Sequence, residues 1–227
     1  MRLALSSRSF ARRFERGDLT QFEWIDICCA QPELGGVDLS HEHFPRRDAD
    51  YLAQIKKLCV DRQLTIAGLN TAIALGDSDV DPQIDALKEA LDDAASLGAP
   101  LLRFGCGAGS GSPGIAWREL IRALKYASGH AKLRNVTLAL TPREGTLVAT
   151  DADVKRAVKE CDSAWLRVAI PAAVAWEPYS RDAVIMTMQP RGYEVAATLR
   201  FRGFVSLEDE SGELDEARLS RWVEALR

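Results

Sequence analysis

"QIDALKEALDDAASLGAPLLRFG", residues 83–105, joins two patterns that belong to different kinds of structure. In its first part Ile84, Leu87, Leu91, Ala94 and Leu97 recur every three or four residues, which gathers them on one face of a helix. After Gly98 and Ala99 the run "PLLRFG" (100–105) is short and mostly apolar, the signature of a strand buried on both faces. One such unit is a cover helix leading into a core strand.

The unit recurs along the chain. Strand-like runs stand at "RLALS" (2–6), "GVDLS" (36–40), "LTIAGL" (64–69), "PLLRFG" (100–105), "VTLAL" (136–140), "WLRVAI" (165–170), "AVIMTM" (183–188) and "GFVSLE" (203–208). Between them, "DADYLAQIKKLCVDRQ" (48–63) gathers Tyr51, Leu52, Ile55, Leu58 and Cys59 on one face. "IAWRELIRALKY" (115–126) supplies a further helix, and "DEARLSRWVEALR" (215–227) a last one with Leu219, Trp222, Val223 and Leu226 inward. Helix starts carry capping chemistry: Thr20 with Glu23 forms a T-x-x-E box, and Asp81-Pro82 and Ser112-Pro113 place a cap before a proline. Apolar strands alternating with helices call for a parallel sheet covered on its outer face. Eight strands in 227 residues fit a compact (β/α)₈ barrel forming a single domain over residues 1–227. A doubly wound open sheet is the competing architecture. The chain between strands six and seven, and again before strand eight, is too short for a full helix with two loops, so those helices are expected to be shortened or absent.

A composition of 47% hydrophobic and 27% charged residues is that of an ordinary globular protein. The net charge of −4 is mild and interspersed, which argues against nucleic acid as a partner. No run approaches a membrane span and no leader pattern opens the chain, so the expectation is a cytoplasmic protein without a membrane partner. The five cysteines include no C-x-x-C pair, so neither a disulfide framework nor a zinc knuckle is suggested.

The order and character of these segments resemble the xylose isomerase-like barrels, the superfamily of sugar and sugar-phosphate isomerases and epimerases that also holds endonuclease IV-type repair enzymes. The resemblance is carried by "GVDLS", "LTIAGL", "AASLGAPLLRFG", "VTLAL" and "GFVSLEDE" in that order. It implies a metal cage with a Glu ending strand five, an Asp ending strand six, a His ending strand seven and a Glu ending strand eight. Most of that cage is missing: Thr141 follows "VTLAL", strand six ends "RVAIP" with Arg167 and no carboxylate, and strand seven ends near Thr187 and Gln189. Only Glu208 matches. A single carboxylate does not hold a catalytic divalent ion, so no cofactor is expected at the family's position. The repair branch also implies histidines after strands three and four, where "GLNTA" and "RFGCG" stand, and it is set aside.

"HEH" (41–43) raises the alternative of a relocated metal, since strands two and eight flank strand one in a closed barrel. It lacks a fourth ligand and a second shell. The reading is therefore a binding mouth for a small sugar, polyol or sugar acid at the C-terminal ends of the strands. Glu208 is the candidate base and His41 or His43 the candidate acid, with Glu42, Asn70, Arg103, Thr141, Arg143, Arg167 and Gln189 as substrate contacts. Arg200 and Arg202 are further basic residues near strands. The glycine-rich "GCGAGSGSPG" (105–114) is a mobile loop or an anion site at the next helix start, with Arg103 as its partner. Cys106 reads as a small loop residue and His130 as a surface residue near a helix end. The rival reading is a noncatalytic relative that keeps the scaffold without the cage.

Overall fold

A computed structural model of the chain describes residues 2–76, 79–172, 183–189 and 201–226. Eight strands run in chain order around a closed parallel barrel: β1 (Arg2–Ser6), β2 (Leu34–Ser40), β3 (Thr65–Leu75), β4 (Leu101–Cys106), β5 (Thr137–Thr141), β6 (Leu166–Pro171), β7 (Ala183–Met188) and β8 (Phe204–Leu207). β8 returns to pair with β1 through Leu3 opposite Val205 and Ala4 opposite Ser206. The open-sheet alternative is thereby excluded. The helices are α1 (Ala11–Arg16), α2 (Gln21–Cys29), α3 (Ala49–Asp61), α4 (Val80–Leu97), α5 (Pro113–Arg134), α6 (Asp151–Cys161) and α7 (Glu216–Glu224). Residues 173–182 and 190–200, which hold the two connections expected to be pared down and also Arg200, lie outside the described residues.

Strand side chains alternate between two faces, and the barrel uses both. Leu5, Val37, Leu39, Leu69, Leu102, Phe104, Leu138, Leu140, Val205 and Leu207 join the helices in one large buried core. The other parity gives a separate buried layer of Ala4, Ala67, Leu101, Ala139, Ala169, Ile185 and Phe204, which fills the lumen. Four of those seven are alanine, and two of the larger ones lie against glycines: a Cβ on Gly36 would stand 2.6 Å from Phe204 Cε1, and one on Gly68 2.6 Å from Leu101 Cδ1. Small residues on some strands thus make room for large ones on others.

Two local readings need correction. The cap of α4 is Asp79, whose side chain accepts from the Asp81 N–H, so the helix begins at Val80 and Pro82 sits inside its first turn. An Asp two residues upstream of another competes for the same role, and the sequence pattern alone favours the one beside proline. Strand three also runs past the expected Leu69 to Leu75, because after an irregularity Ala74 and Leu75 pair with Gly105 and Cys106. The Thr20–Glu23 capping box forms in both directions, and Ser112 does precede α5 with Pro113 at its start.

Candidate functional site at the barrel mouth

Moving two residues toward the C-terminal end of each strand keeps a side chain on the same face. From the apolar lumen layer this step leads from Leu101 to Arg103, from Phe204 to Ser206 and Glu208, and from Ala4 to Ser6. β2 contributes Asp38 and Ser40 at the same parity. The lumen therefore changes character abruptly, from hydrocarbon to a layer of charged and hydroxyl groups.

Arg103 is the centre of that layer. It is 2% exposed, and its Nη2 lies 2.7 Å from Asp38 Oδ2 and 3.0 Å from Glu208 Oε2. The Ser206 hydroxyl donates to the same Asp38 oxygen at 2.7 Å, and Arg8 Nη1 reaches the other Glu208 oxygen at 3.3 Å. Asp38 is fully buried, Glu208 is 14% exposed and Arg8 is 40% exposed, so the cluster grades from dry to wet toward the mouth. Among the described residues Asp38 Oδ1 and Arg103 Nε are buried without a hydrogen-bond partner.

The charges follow from this geometry. Burial pushes the Asp38 carboxyl up to about 6, against the opposing pull of Arg103 and with Glu208 adding to the rise. Burial also pushes Glu208 upward, but Arg103 and Arg8 outweigh it and hold that carboxyl below its ordinary value. Burial would strip the Arg103 proton, yet Asp38 and Glu208 more than compensate, so the guanidinium stays charged.

Other expected residues sit around this cluster in different ways. Asn70 is buried and donates to Ser40 Oγ at 3.1 Å, and the Ser40 hydroxyl donates to Glu42 Oε2 at 2.9 Å. The other Glu42 oxygen accepts from the Ala72 N–H. His43 shares a hydrogen bond with Ser7 Oγ at 2.9 Å and stacks on Phe14 with ring centroids 4.4 Å apart. Burial pulls its imidazole down to about 4, with Arg8 acting in the same sense and Glu42 against it, so it is neutral at pH 7.

His41 turns the other way. Its Nε2 lies 2.6 Å from Asp93 Oδ2 on α4, and it lines a lateral groove of about 540 Å³ with Glu42, Arg47, Thr71, Ile73 and Glu89. The two histidines of "HEH" are thus sent apart by the single 3₁₀ turn that carries them. Thr141 ends β5, opposite Gly105 of β4. Arg143 is exposed in the loop beyond Thr141, and Gln189 is exposed just after β7. Arg167 is a correction: it is the second residue of β6, opposite Ala139, and so stands toward the start of its strand and away from the C-terminal mouth. Arg202 is likewise exposed just ahead of β8.

The glycine-rich loop also reads differently in three dimensions. Arg103 is committed to Asp38 and Glu208 in the lumen, so it is no partner for an anion at the α5 start. The cavity beside that loop, about 180 Å³, is lined by Asp79 and Glu119 as well as Gly76 and Ser110, a poor setting for an anion. His130 is paired with Asp92 at 2.5 Å.

Sequence reasoning missed Asp38, Ser206 and Arg8. For Asp38 and Ser206 the signal is parity, each lying two residues from a lumen position on its own strand, Gly36 and Phe204; Arg8 sits in a short 3₁₀ turn, Ser7–Phe10, where strand alternation no longer applies. The same contacts bear on whether a divalent ion fits among the described residues. Both Glu208 oxygens face arginines, Asp38 Oδ2 is taken by Arg103 and Ser206, and no three metal-ligating side chains converge among the described residues. Among the described residues the side chains at the mouth do not fit a metal cage.

Comparison with known proteins bears on the scaffold. A family model described as xylose isomerase-like TIM barrel matches residues 22–177. No curated protein matches the sequence. Among solved structures, D-psicose 3-epimerase with D-tagatose from Clostridium cellulolyticum H10 superposes with a TM-score of 0.81 at 12% identity, over 100% of this chain and 96% of that one. An AP endonuclease, family 2, from Brucella melitensis gives 0.78 at 16% identity, over 99% of both chains. A probable 3-DHS dehydratase from Bacillus anthracis gives 0.73 at 13% identity, over 97% of this chain and 98% of that one. At these identities the likeness is one of fold.

Proposed function

Because the chain belongs to the xylose isomerase-like TIM barrel family, we propose that it binds a small sugar, sugar phosphate, polyol or sugar acid at the C-terminal mouth and acts on it in an isomerase- or epimerase-like way. The observation that carries this reading is the graded ion cluster, in which a partly exposed Glu208 and a more exposed Arg8 stand over the buried Asp38–Arg103 pair. Glu208 can accept from ligand hydroxyls, and Arg8 can donate to a carbonyl, carboxylate or phosphate. His43, neutral and beside Ser7, is suited to hydrogen bonding rather than to charge. The partner in this reading is a small molecule in the cytoplasm, with no nucleic acid, membrane or cofactor.

A second reading is favoured by one specific feature. A carboxylate held below its ordinary pKa by two arginines is a good hydrogen-bond acceptor and a weak base, which suits a binder without turnover. Solvent-exchange NMR separates the two. The protein is incubated in D₂O with a panel of ketoses, aldoses and sugar acids, with binding followed in parallel by calorimetry. Deuterium entering beside the carbonyl, and ceasing with Glu208→Gln, supports the enzyme. Binding without exchange supports the second reading, and absence of binding across the panel defeats both.

A further inference from the structure

We propose that the Arg103 guanidinium is a built-in cation that occupies the seat a divalent ion would need, so that the mouth of this barrel is assembled without a metal. The carboxylates of the lumen come from β2 and β8, and one nitrogen of Arg103, sent across from β4, touches an oxygen of each. A divalent ion bridging Asp38 and Glu208 would have to sit where Nη2 sits, because hard ions bind carboxylate oxygens at roughly 2.0–2.6 Å. The ion and the guanidinium therefore exclude one another.

Among the described residues the surroundings fit a tethered cation. The strand ends on the far side offer Thr141, Pro171 and Thr187, none of which supplies a carboxylate or imidazole. Two buried carboxylates facing each other across a dry lumen repel strongly unless a positive charge lies between them. Arg103 supplies that charge at all times, because a guanidinium does not lose its proton in the physiological range. Arg8 supplies a second one on the wet side of Glu208. Removing Arg103 leaves Asp38, Glu208 and the Ser206 hydroxyl around a hole that a small cation can enter.

This inference concerns the assembly of the mouth and stands whatever ligand the mouth takes, so its test reads stability instead of turnover. Thermal unfolding is followed for the wild-type protein, Arg103→Ala and Arg103→Ala/Glu208→Gln, each with millimolar MnCl₂, ZnCl₂ or guanidinium chloride, and with NaCl at matched ionic strength. The wild-type midpoint is expected to ignore all three additives. Arg103→Ala is expected to melt several degrees lower and to recover part of that loss with guanidinium or a divalent ion, and the recovery should vanish in the double variant. If Arg103→Ala does not fold, Arg103→Lys keeps the charge and is expected to fold and to remain indifferent to Mn²⁺. A wild-type midpoint raised by Mn²⁺ or Zn²⁺ and insensitive to them after Glu208→Gln would overturn the proposal. So would an Arg103→Ala protein as stable as wild type and indifferent to every additive.

Discussion

Arg103 is nearly as buried as the leucines around it, and what keeps it there is the arrangement of its partners. Breaking a buried pair by deleting one member leaves the other uncompensated, which costs about 3–5 kcal/mol. Arg103→Met, similar in length and uncharged, is therefore expected to lose that much in urea unfolding, and adding Asp38→Asn should return a large part of it. A simple sum of the two single losses would show that the pair is not coupled. pH acts on the same neighbourhood through two groups of opposite sign. His43 titrates near 4 in the folded protein and near 6.5 when unfolded, so its share of stability is present above 6.5 and is lost as pH falls toward 4. Asp38 titrates near 6 folded and near 3.8 unfolded, so its share is present below 3.8 and is lost as pH rises through 6. Each amounts to about 3 kcal/mol at full effect, and they largely cancel between pH 4 and 6. His43→Gln should remove one side of the balance, so that its stability falls as pH rises from 4 to 6.5. A variant whose stability follows the wild-type pH curve would refute this account. Sequence pattern finds Glu208 because a charge just past a strand end stands out, and Arg103 because it is a lone basic residue inside the apolar run "PLLRFG". It passes over Asp38, since "GVDLS" reads as one apolar strand until parity separates its lumen side from its helix side.

At the scale of elements, the strands are legible because each is a short apolar run, and the helices because their buried residues keep a three-to-four spacing. α7 shows the limit of such reading: it buries Leu219 and Val223 fully, while Trp222 and Leu226 pack only partly against the core. α4 shows a feature no pattern announces, for Asp92 binds His130 and Arg134 of α5 while its neighbour Asp93 binds His41 and Arg47 on the other side. Adjacent residues on a helix point about 100° apart, so one dipeptide ties two different elements to α4. Partner choice here depends on which strands neighbour each other, which the local sequence does not contain. The lumen glycines give a test at this scale. A Cβ on Gly36 would meet the Thr65 carbonyl oxygen at 2.8 Å as well as the Phe204 ring, and backbone cannot step aside. On Gly68 the nearest atoms belong to the flexible Leu101 side chain. Gly36→Ala is expected to cost about 1–3 kcal/mol, and Gly68→Ala less, in the urea midpoint at unchanged slope. Equal losses would mean that lumen packing does not distinguish the two positions.

For the whole molecule the decisive event is closure, because a barrel whose last strand fails to meet its first exposes two edges at once. The seam is more than the β1–β8 ladder. Ser9, fully buried just after β1, accepts from the Asp209 N–H at 2.8 Å and donates to Leu207 O at 3.4 Å, while its carbonyl accepts from the Leu214 N–H at 2.8 Å. Farther out, Arg12 N–H donates to Gly212 O, and Arg13 pairs with Glu216 at the start of α7. One serine thus holds the two ends of the sheet together, at the same end of the barrel as Glu208. The main core runs unbroken from Leu5 to Val223, so nothing in the packing separates this seam as an independent unit. Ser9→Ala leaves the Asp209 N–H buried and unpaired, which costs about 1–3 kcal/mol. Since the seam and the rest share one core, that loss should lower a single cooperative transition rather than split it. Unfolding followed by far-UV circular dichroism and by the fluorescence of Trp24 in α2 and Trp222 in α7, the other tryptophans replaced by phenylalanine, should give coincident midpoints before and after the substitution. Were Trp222 to report an earlier transition in Ser9→Ala alone, the closing strand and its helix would be a separable flap, and the mouth cluster that depends on Glu208 would open with it.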